Sequence, residues 1–301
     1  MDNKMEVRQR MAQGAQFRRS AIMYRVVTVI LTLVAIGFAV VTLYPYIFSV
    51  IASLRQGVDI YTPGWKLSDL SFHAYERILF GIGADESFTL PRWMLNTFFV
   101  SITVTLLTLL ISSMGGYALA RIEFAGKKFW FAVLLGVMMI PGQVTLIPKY
   151  IMIAKFLGWS NSYVGLIVPF LFSAYYTFMM RQFFLSFPKE LEEAAMLEGM
   201  SRVGIFLKMV LPLSKAPLLA AGTLIFMGNW SSYLWPKLLV NKMDMYLISQ
   251  GMTVMMGSKY TAVPAITMAA AIVSMLPLLL LFIIFQKQFM ASIASTGTKG
   301  S

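Results

Sequence analysis

Groups capable of acid–base, metal or phosphate chemistry are scarce in this 301-residue chain, and four of its 13 carboxylates fall in one short segment. Cysteine is absent and His73 is the single histidine, so disulfides and thiolate metal sites are excluded and no metal or acid–base set is visible. No Gly-x-x-x-x-Gly-Lys-Ser/Thr stretch occurs; the one Gly-Lys pair, Gly126-Lys127, is followed by another lysine. The chain lacks the loop that cradles nucleotide phosphates, and no catalytic or metal-binding residue is assigned. Glu190, Glu192, Glu193 and Glu198 fall in or just before Glu193-Ala194-Ala195-Met196-Leu197-Glu198-Gly199, with Leu211-Pro212 beyond and long apolar runs on both sides. A short charged helix held between apolar runs offers a grip for another protein rather than a reaction centre.

Local chemistry says how that grip is built. Pro188 suits a first helical turn, where its missing amide hydrogen would be unbonded anyway, and Ser186 is the expected cap. Glu190, Glu192 and Glu193 then lie near the positive end of the helix dipole, where each carboxylate gains about 0.3–1 kcal/mol. Leu191, Ala194, Ala195 and Leu197 give a narrow apolar face with small residues at its centre. Gly199 ends the helix, and Ser201 caps a second one running into Leu211-Pro212. Two short helices joined at a glycine-fixed bend make a rigid lever.

The rest of the chain must hold that lever. A mean hydropathy of +0.72, with 58% hydrophobic and 13% charged residues, describes a polypeptide lying mostly in lipid. Cutting at the charged residues leaves the uncharged windows 26–54, 93–120, 129–148, 156–180, 216–236 and 260–286. Each has about 20 residues or more, enough to cross a hydrocarbon core roughly 30 Å thick. The expected fold is therefore all-α, a polytopic membrane protein with six transmembrane helices. The expected organisation is a tail over 1–25, a membrane domain over 26–286 and a tail over 287–301. With both termini inside, the inner segments 1–25, 121–128, 181–215 and 287–301 carry 16 of the 25 Lys and Arg residues, which favours cytoplasmic termini. The net charge of +12 is then a product of topology, and nucleic acid is not an expected partner. The first window is too long and too late for a cleaved leader and reads as a retained span.

Between the windows, the loop 55–92 is the longest outer connection, too short for an independent domain and placed to cap the outer mouth. Residues 149–162 form a semi-apolar outer segment in which Tyr150, Ile151, Ile153 and Phe156 suit a surface helix. The loop 181–211, between spans four and five, is the sizeable inner one. Pro45, Pro141, Pro169 and Pro277 fall within or at the ends of spans, where neighbouring helices can take up the freed carbonyls.

The order Glu-Ala-Ala, three residues, glycine, then Leu-Pro resembles the signature of permease subunits of bacterial ABC importers. Met209 stands where the family usually has a hydrophobic residue, often isoleucine. The likeness extends along nearly the whole chain and narrows to the carbohydrate branch, similar to the second permease of the maltose importer. It is carried by Asn96-Thr97, Tyr117-Ala118-Leu119-Ala120-Arg121, Pro141-Gly142-Gln143 with Pro148, Leu157 to Tyr163 before Gly165-Leu166-Ile167-Val168-Pro169, and Asn229-Trp230-Ser231-Ser232-Tyr233-Leu234-Trp235-Pro236. Ser231 stands where the family has asparagine. Gly297-Thr298-Lys299-Gly300 resembles the family's tail.

The resemblance implies that the loop 181–211 is a cytoplasmic coupling helix docking into a cleft on an ATPase subunit, through Glu190, Glu193, Ala194, Ala195, Leu197, Gly199, Leu211 and Pro212. Gly297, Lys299 and Gly300 would reach the same interface. It implies a second, different permease subunit, a dimer of ABC ATPase subunits and an external or periplasmic solute-binding protein. ATP and Mg would be held by the ATPase, with no cofactor in this chain. The setting would be the bacterial cytoplasmic (inner) membrane and the cargo a di- or oligosaccharide. Asn96, Gln143, Asn229, Trp230, Tyr233 and Trp235 are candidates to line the route, by stacking on sugar faces or bonding hydroxyls. A permease for glycerol phosphate, phosphonate, peptide or amino acid, a secondary carrier without an ATPase, and a membrane enzyme are the alternatives. The windows carry no mid-membrane carboxylate of the kind that ion-coupled carriers use.

Overall fold

The computed structural model describes residues 2–55, 67–80, 90–256 and 263–297, with side chains for 23–55, 68–80, 90–256 and 263–286. Lys299, Gly300 and the outer-loop charges Asp59, Asp85 and Glu86 lie outside the described residues. In chain order the helices are α1 (Asp2–Ser53), α2 (His73–Phe80), α3 (Leu90–Arg121), α4 (Lys127–Met138), α5 (Leu146–Tyr150), α6 (Tyr163–Ile167), α7 (Ala174–Leu185), α8 (Lys189–Leu197), α9 (Arg202–Ile205), α10 (Leu211–Leu213), α11 (Lys215–Trp230), α12 (Leu234–Leu239), α13 (Ile248–Met256) and α14 (Pro264–Gly297). Among the described residues no β-strand forms; Arg55 and Leu70 make an isolated bridge.

Three stretches are long and apolar enough to cross a membrane: Met23–Ser53, Leu90–Arg121 and Pro264–Gln286. Two bent pairs raise the number to five if each is one span: Tyr163–Phe170 with Ala174–Leu185 at 44°, and Arg202–Leu213 with Lys215–Trp230 at 79°. The described residues thus hold three to five candidate spans where the composition suggested six. The shortfall lies in 129–148: α4 stops after 12 residues, only about 18 Å of helix. Irregular backbone around Pro141-Gly142 then separates it from α5, because proline cannot donate the next helical bond. Of the segment 149–162, only the part up to Phe156 is helical, α5 running on into a π-helical turn, Ile151–Phe156, with Ile153 buried and Phe156 outward. α1 is continuous from Asp2, so no break marks the expected tail boundary at residue 25.

Pro169 sits at the bend before α7, in the 3-10 turn Val168–Phe170. Pro45 and Pro277, by contrast, lie inside unbroken helices. Hydroxyls near them bond the helix carbonyls, Ser49 to Pro45 O at 2.8 Å and Ser274 to Ala270 O at 2.7 Å.

α3 is the spine of the fold, with α7 and α11 packed along it. The α3–α7 approach depends on Gly116: a Cβ there would lie 2.9 Å from Arg181 N and 2.9 Å from Met180 Cβ. Small residues of this kind let helix backbones close up without side chains between them. Near the start of α3, Trp93 packs with Ile78 of α2, Trp230 of α11 and Ile266 and Ala270 of α14. At its end, Tyr117 and Ala120 pack with Met180 and Phe184 of α7. Thr108, midway, donates to Phe170 O at 3.0 Å and satisfies a carbonyl released by the bend before α7.

Candidate functional site

The connection from α7 to α11 is built largely from backbone chemistry. Ser186 closes α7 rather than opening α8: its hydroxyl donates to Phe183 O at 2.7 Å. Pro188, expected in the first turn, is instead the residue before it, extended at φ −60° and ψ 128°. The end of α8 is a Schellman turn. Gly199 has φ +82°, its amide donates to Met196 O and the Met200 amide to Ala195 O, both at 3.0 Å. Ser201 then caps α9, accepting from Gly204 N at 3.1 Å. A π-helical turn, Phe206–Val210, leads into α10, and the chain turns by 79° at Ser214 into α11. Ser214 is wholly buried and its hydroxyl donates to Val210 O at 2.6 Å.

This bent unit is bolted to the ends of α3 and α7. Ala195, Ile205, Phe206 and Val210 face inward onto Tyr117, Ala120, Met180 and Phe184. The tie that sequence reasoning missed is ionic. Glu192, 5% exposed, places Oε1 3.3 Å from Nε of Arg121. Arg121 Nε also donates to Phe184 O at 2.9 Å, and its Nη2 donates to Phe187 O. Arg181 returns the favour from α7, donating to Leu119 O at 3.3 Å with its guanidinium 3.8 Å above the Phe131 ring. Each arginine thus satisfies carbonyls at the end of the other's helix. The signal for Glu192 was its position three residues before Ala195, on the same helical face.

The outward side of the unit is the apolar one. Leu197 is 90% exposed and Val203 67%, with Leu191 and Leu207 about half so. Glu190, Glu193, Ala194, Gly199 and Pro212 are exposed beside them, and Leu211 is half-buried. Of the expected apolar face, Ala195 alone turns into the fold. Gly297 is the last residue of α14, far along the chain from this unit.

The residues expected to line a route divide in two. Asn96 is buried, its amide donating to Asp244 O at 2.8 Å and Tyr246 O at 3.1 Å while its carbonyl accepts from Tyr163 Oη at 2.7 Å. Trp230 and Trp235 are buried too, their indoles bonded to Ser274 O and Gly165 O. All three are occupied in holding the end of α3 opposite the bent unit. Asn161 contributes there as well: at φ +50° its carboxamide accepts from Asn241 N at 2.8 Å and Lys242 N at 3.1 Å. Gln143 is exposed in the break after α4, and the Tyr233 hydroxyl accepts from Lys237 Nζ at 2.6 Å.

Asn229 opens instead onto a recess of about 300 Å³ between α3, α5, α7 and α11, shared with Thr108, Lys149, Ser173, Tyr176 and Ser232. Lys149 was not anticipated; its ammonium stands 4.9 Å from the Phe170 ring centre and 5.8 Å from that of Trp235.

Over residues 78–294 the sequence matches the family described as binding-protein-dependent transport system inner membrane component. The chain is 32% identical to the arabinooligosaccharides transport system permease protein of Halalkalibacterium halodurans, over 89% of this chain and 96% of that one. It is 30% identical to the sn-glycerol-3-phosphate transport system permease protein of Brucella abortus, over 85% and 92%. The fold superposes with a TM-score of 0.76 on a chain in the crystal structure of a bacterial ABC transporter involved in the import of the acidic polysaccharide alginate. That match is 22% identical and covers 87% of this chain and 96% of the other. On a family match spanning most of its length, this chain belongs to the binding-protein-dependent transport system inner membrane components.

Proposed function

We propose that this chain is a permease subunit of an ATP-driven, binding-protein-dependent sugar importer, forming half of the translocation pathway in a bacterial inner membrane. The observation that carries the reading is the bent α8–α9 unit. It is fixed to α3 and α7 by Arg121, Glu192 and the Ala195 face, and it presents Leu191, Leu197, Val203 and Leu207 outward beside acidic side chains. An exposed apolar ridge on a rigid mount suits docking to another protein. The relatives named for arabinooligosaccharides and the fold shared with the alginate importer support sugar as cargo.

In this reading the bent unit faces the cytoplasm, both termini are inside, and α4 with the break after it completes a sixth crossing. A separate pair of ATPase subunits holds ATP and Mg and closes on the two coupling loops of a permease pair. The partner permease is a different chain, and an external binding protein delivers the sugar. This polypeptide has no phosphate-cradling loop with which to hydrolyse ATP itself, and its apolar windows carry no carboxylate for ion coupling, so energy arrives from outside the bilayer. The test is affinity purification of the tagged chain from membranes: ATPase and second permease subunits should co-purify and the assembly should take up oligosaccharide on ATP. Uptake by the lone chain, or labelling of the Glu198→Cys variant by an impermeant thiol reagent in intact cells, refutes the reading.

A further inference from the structure

The recess beside the α6–α7 bend has an uneven charge. Lys149 is its single charged lining residue, with no aspartate or glutamate in the wall. Lysine here interrupts an otherwise uncharged stretch, Ile147-Pro148 before it and Tyr150-Ile151 after it. Its ammonium rests against the faces of Phe170 and Trp235, an arrangement that holds a cation without neutralising it. Among the described residues it has no ion pair and no hydrogen bond.

The polar groups around it are only partly spent. Thr108 donates to Phe170 O, and the Asn229 amide nitrogen donates to Ile225 O. Asn229, Tyr176 and Ser232 line the recess, and among the described residues no hydrogen bond engages the Asn229 carbonyl oxygen or the Tyr176 and Ser232 hydroxyls. A half-buried cation with no counter-ion is costly to enclose around a neutral solute, because its hydration is lost and nothing replaces it. An anionic solute removes that cost. The volume, about 300 Å³, is at the lower end of small-molecule sites, which run to ~1,000 Å³.

We propose that this recess is an anion subsite on the solute route, where Lys149 takes a carboxylate or phosphate group and Tyr176, Asn229 and Ser232 bond neighbouring hydroxyls. The proposal rests on the importer reading above and narrows its cargo to acidic sugars or sugar-like phosphates. α7 and α11, which supply Tyr176 and Asn229, are the helices on either side of the bent unit, so the subsite is built from the elements that unit would move.

The complete importer, with partner permease, ATPase subunits and binding protein, is reconstituted in vesicles and given labelled arabinotriose, trigalacturonate or glycerol 3-phosphate. The last two separate carboxylate from phosphate recognition. Wild type is expected to take up at least one anion, and Lys149→Gln to raise that probe's KM by about tenfold or more, with Lys149→Arg staying within about threefold. An unchanged KM in Lys149→Gln overturns the subsite. Wild-type uptake of arabinotriose alone overturns it too, but leaves sugar import standing. Uptake of glycerol 3-phosphate alone keeps the subsite and removes sugar as cargo; uptake of none of the probes removes both. Should Lys149→Gln fail to co-purify with the ATPase subunits, Tyr176→Phe with Ser232→Ala decides: a raised anion KM supports the subsite and an unchanged one overturns it.

Discussion

The guanidinium of Arg121, at the end of α3, lies 3.3 Å from the Glu192 carboxylate, and the two side chains are only 5% and 7% exposed. Glu192 Oε1 accepts no hydrogen bond across this contact, because Arg121 Nε–H is aimed at Phe184 O. The pair is therefore an ionic tether, and Arg121 carries the further work of bonding two carbonyls. Glu192→Ala is expected to destabilise the assembled protein by about 3–5 kcal/mol, the usual consequence of leaving one buried charge alone. Arg121→Ala should cost more, since Phe184 O and Phe187 O lose donors as well. Thermal unfolding of the purified complex checks the order, and equal losses would contradict it.

Gly199 separates space from backbone strain. A Cβ there meets nothing within 4 Å, yet φ is +82°. Gly199→Val is expected to strain the turn by about 1–2 kcal/mol, whereas Gly199→Asn should be tolerated because asparagine visits this region readily. ATP-driven uptake should fall sharply for valine and stay above about half for asparagine, with membrane insertion intact in both.

Leu197 and Ala195 sit two residues apart on opposite sides of α8, at 90% and 7% exposure. Leu197→Asp should leave the fold unchanged and abolish co-purification of the ATPase subunits. Ala195→Leu should overpack the contact with Tyr117 and Phe184 and cost about 1–3 kcal/mol of stability. Thermal denaturation and pull-down, run on both variants, give opposite patterns if the faces are assigned correctly.

Asn161 tests the far end. Asn161→Gly preserves the left-handed backbone and deletes the bonds to the Asn241 and Lys242 amides, for an expected loss of about 1–3 kcal/mol. Asn161→Val adds strain to the same loss. A glycine variant as stable as wild type would mean that water replaces the carboxamide.

Much of the bent unit was legible because its punctuation is local: Gly199 and Ser201 do what glycine and serine do at helix ends. Ser186 and Pro188 were misplaced by one function each, since a serine between two helices can close the first or open the second and only the fold decides. Glu192 looked like its neighbours Glu190 and Glu193, all suited to the same dipole; which one turns inward depends on Arg121, 71 positions away. Helical α3 and α14 were visible in hydropathy alone, but 129–148 was not, because an uncharged run reads the same whether it is one helix or a short helix and a break. Asn96, Trp230 and Trp235 drew notice as sugar-binding types, yet burial, which composition does not show, commits their polar atoms to the scaffold.

The 79° elbow at Ser214 joins a buried pivot to a straight arm. α11 runs from Lys215 to Trp230, about 24 Å, and Asn229 stands at its distal tip. A bell crank works this way: thrust on the short limb emerges as sideways travel at the long one. A displacement of α9 and α10 that keeps the Ser214–Val210 bond would thus be felt at the other end of α11, where Asn229 forms part of the recess wall.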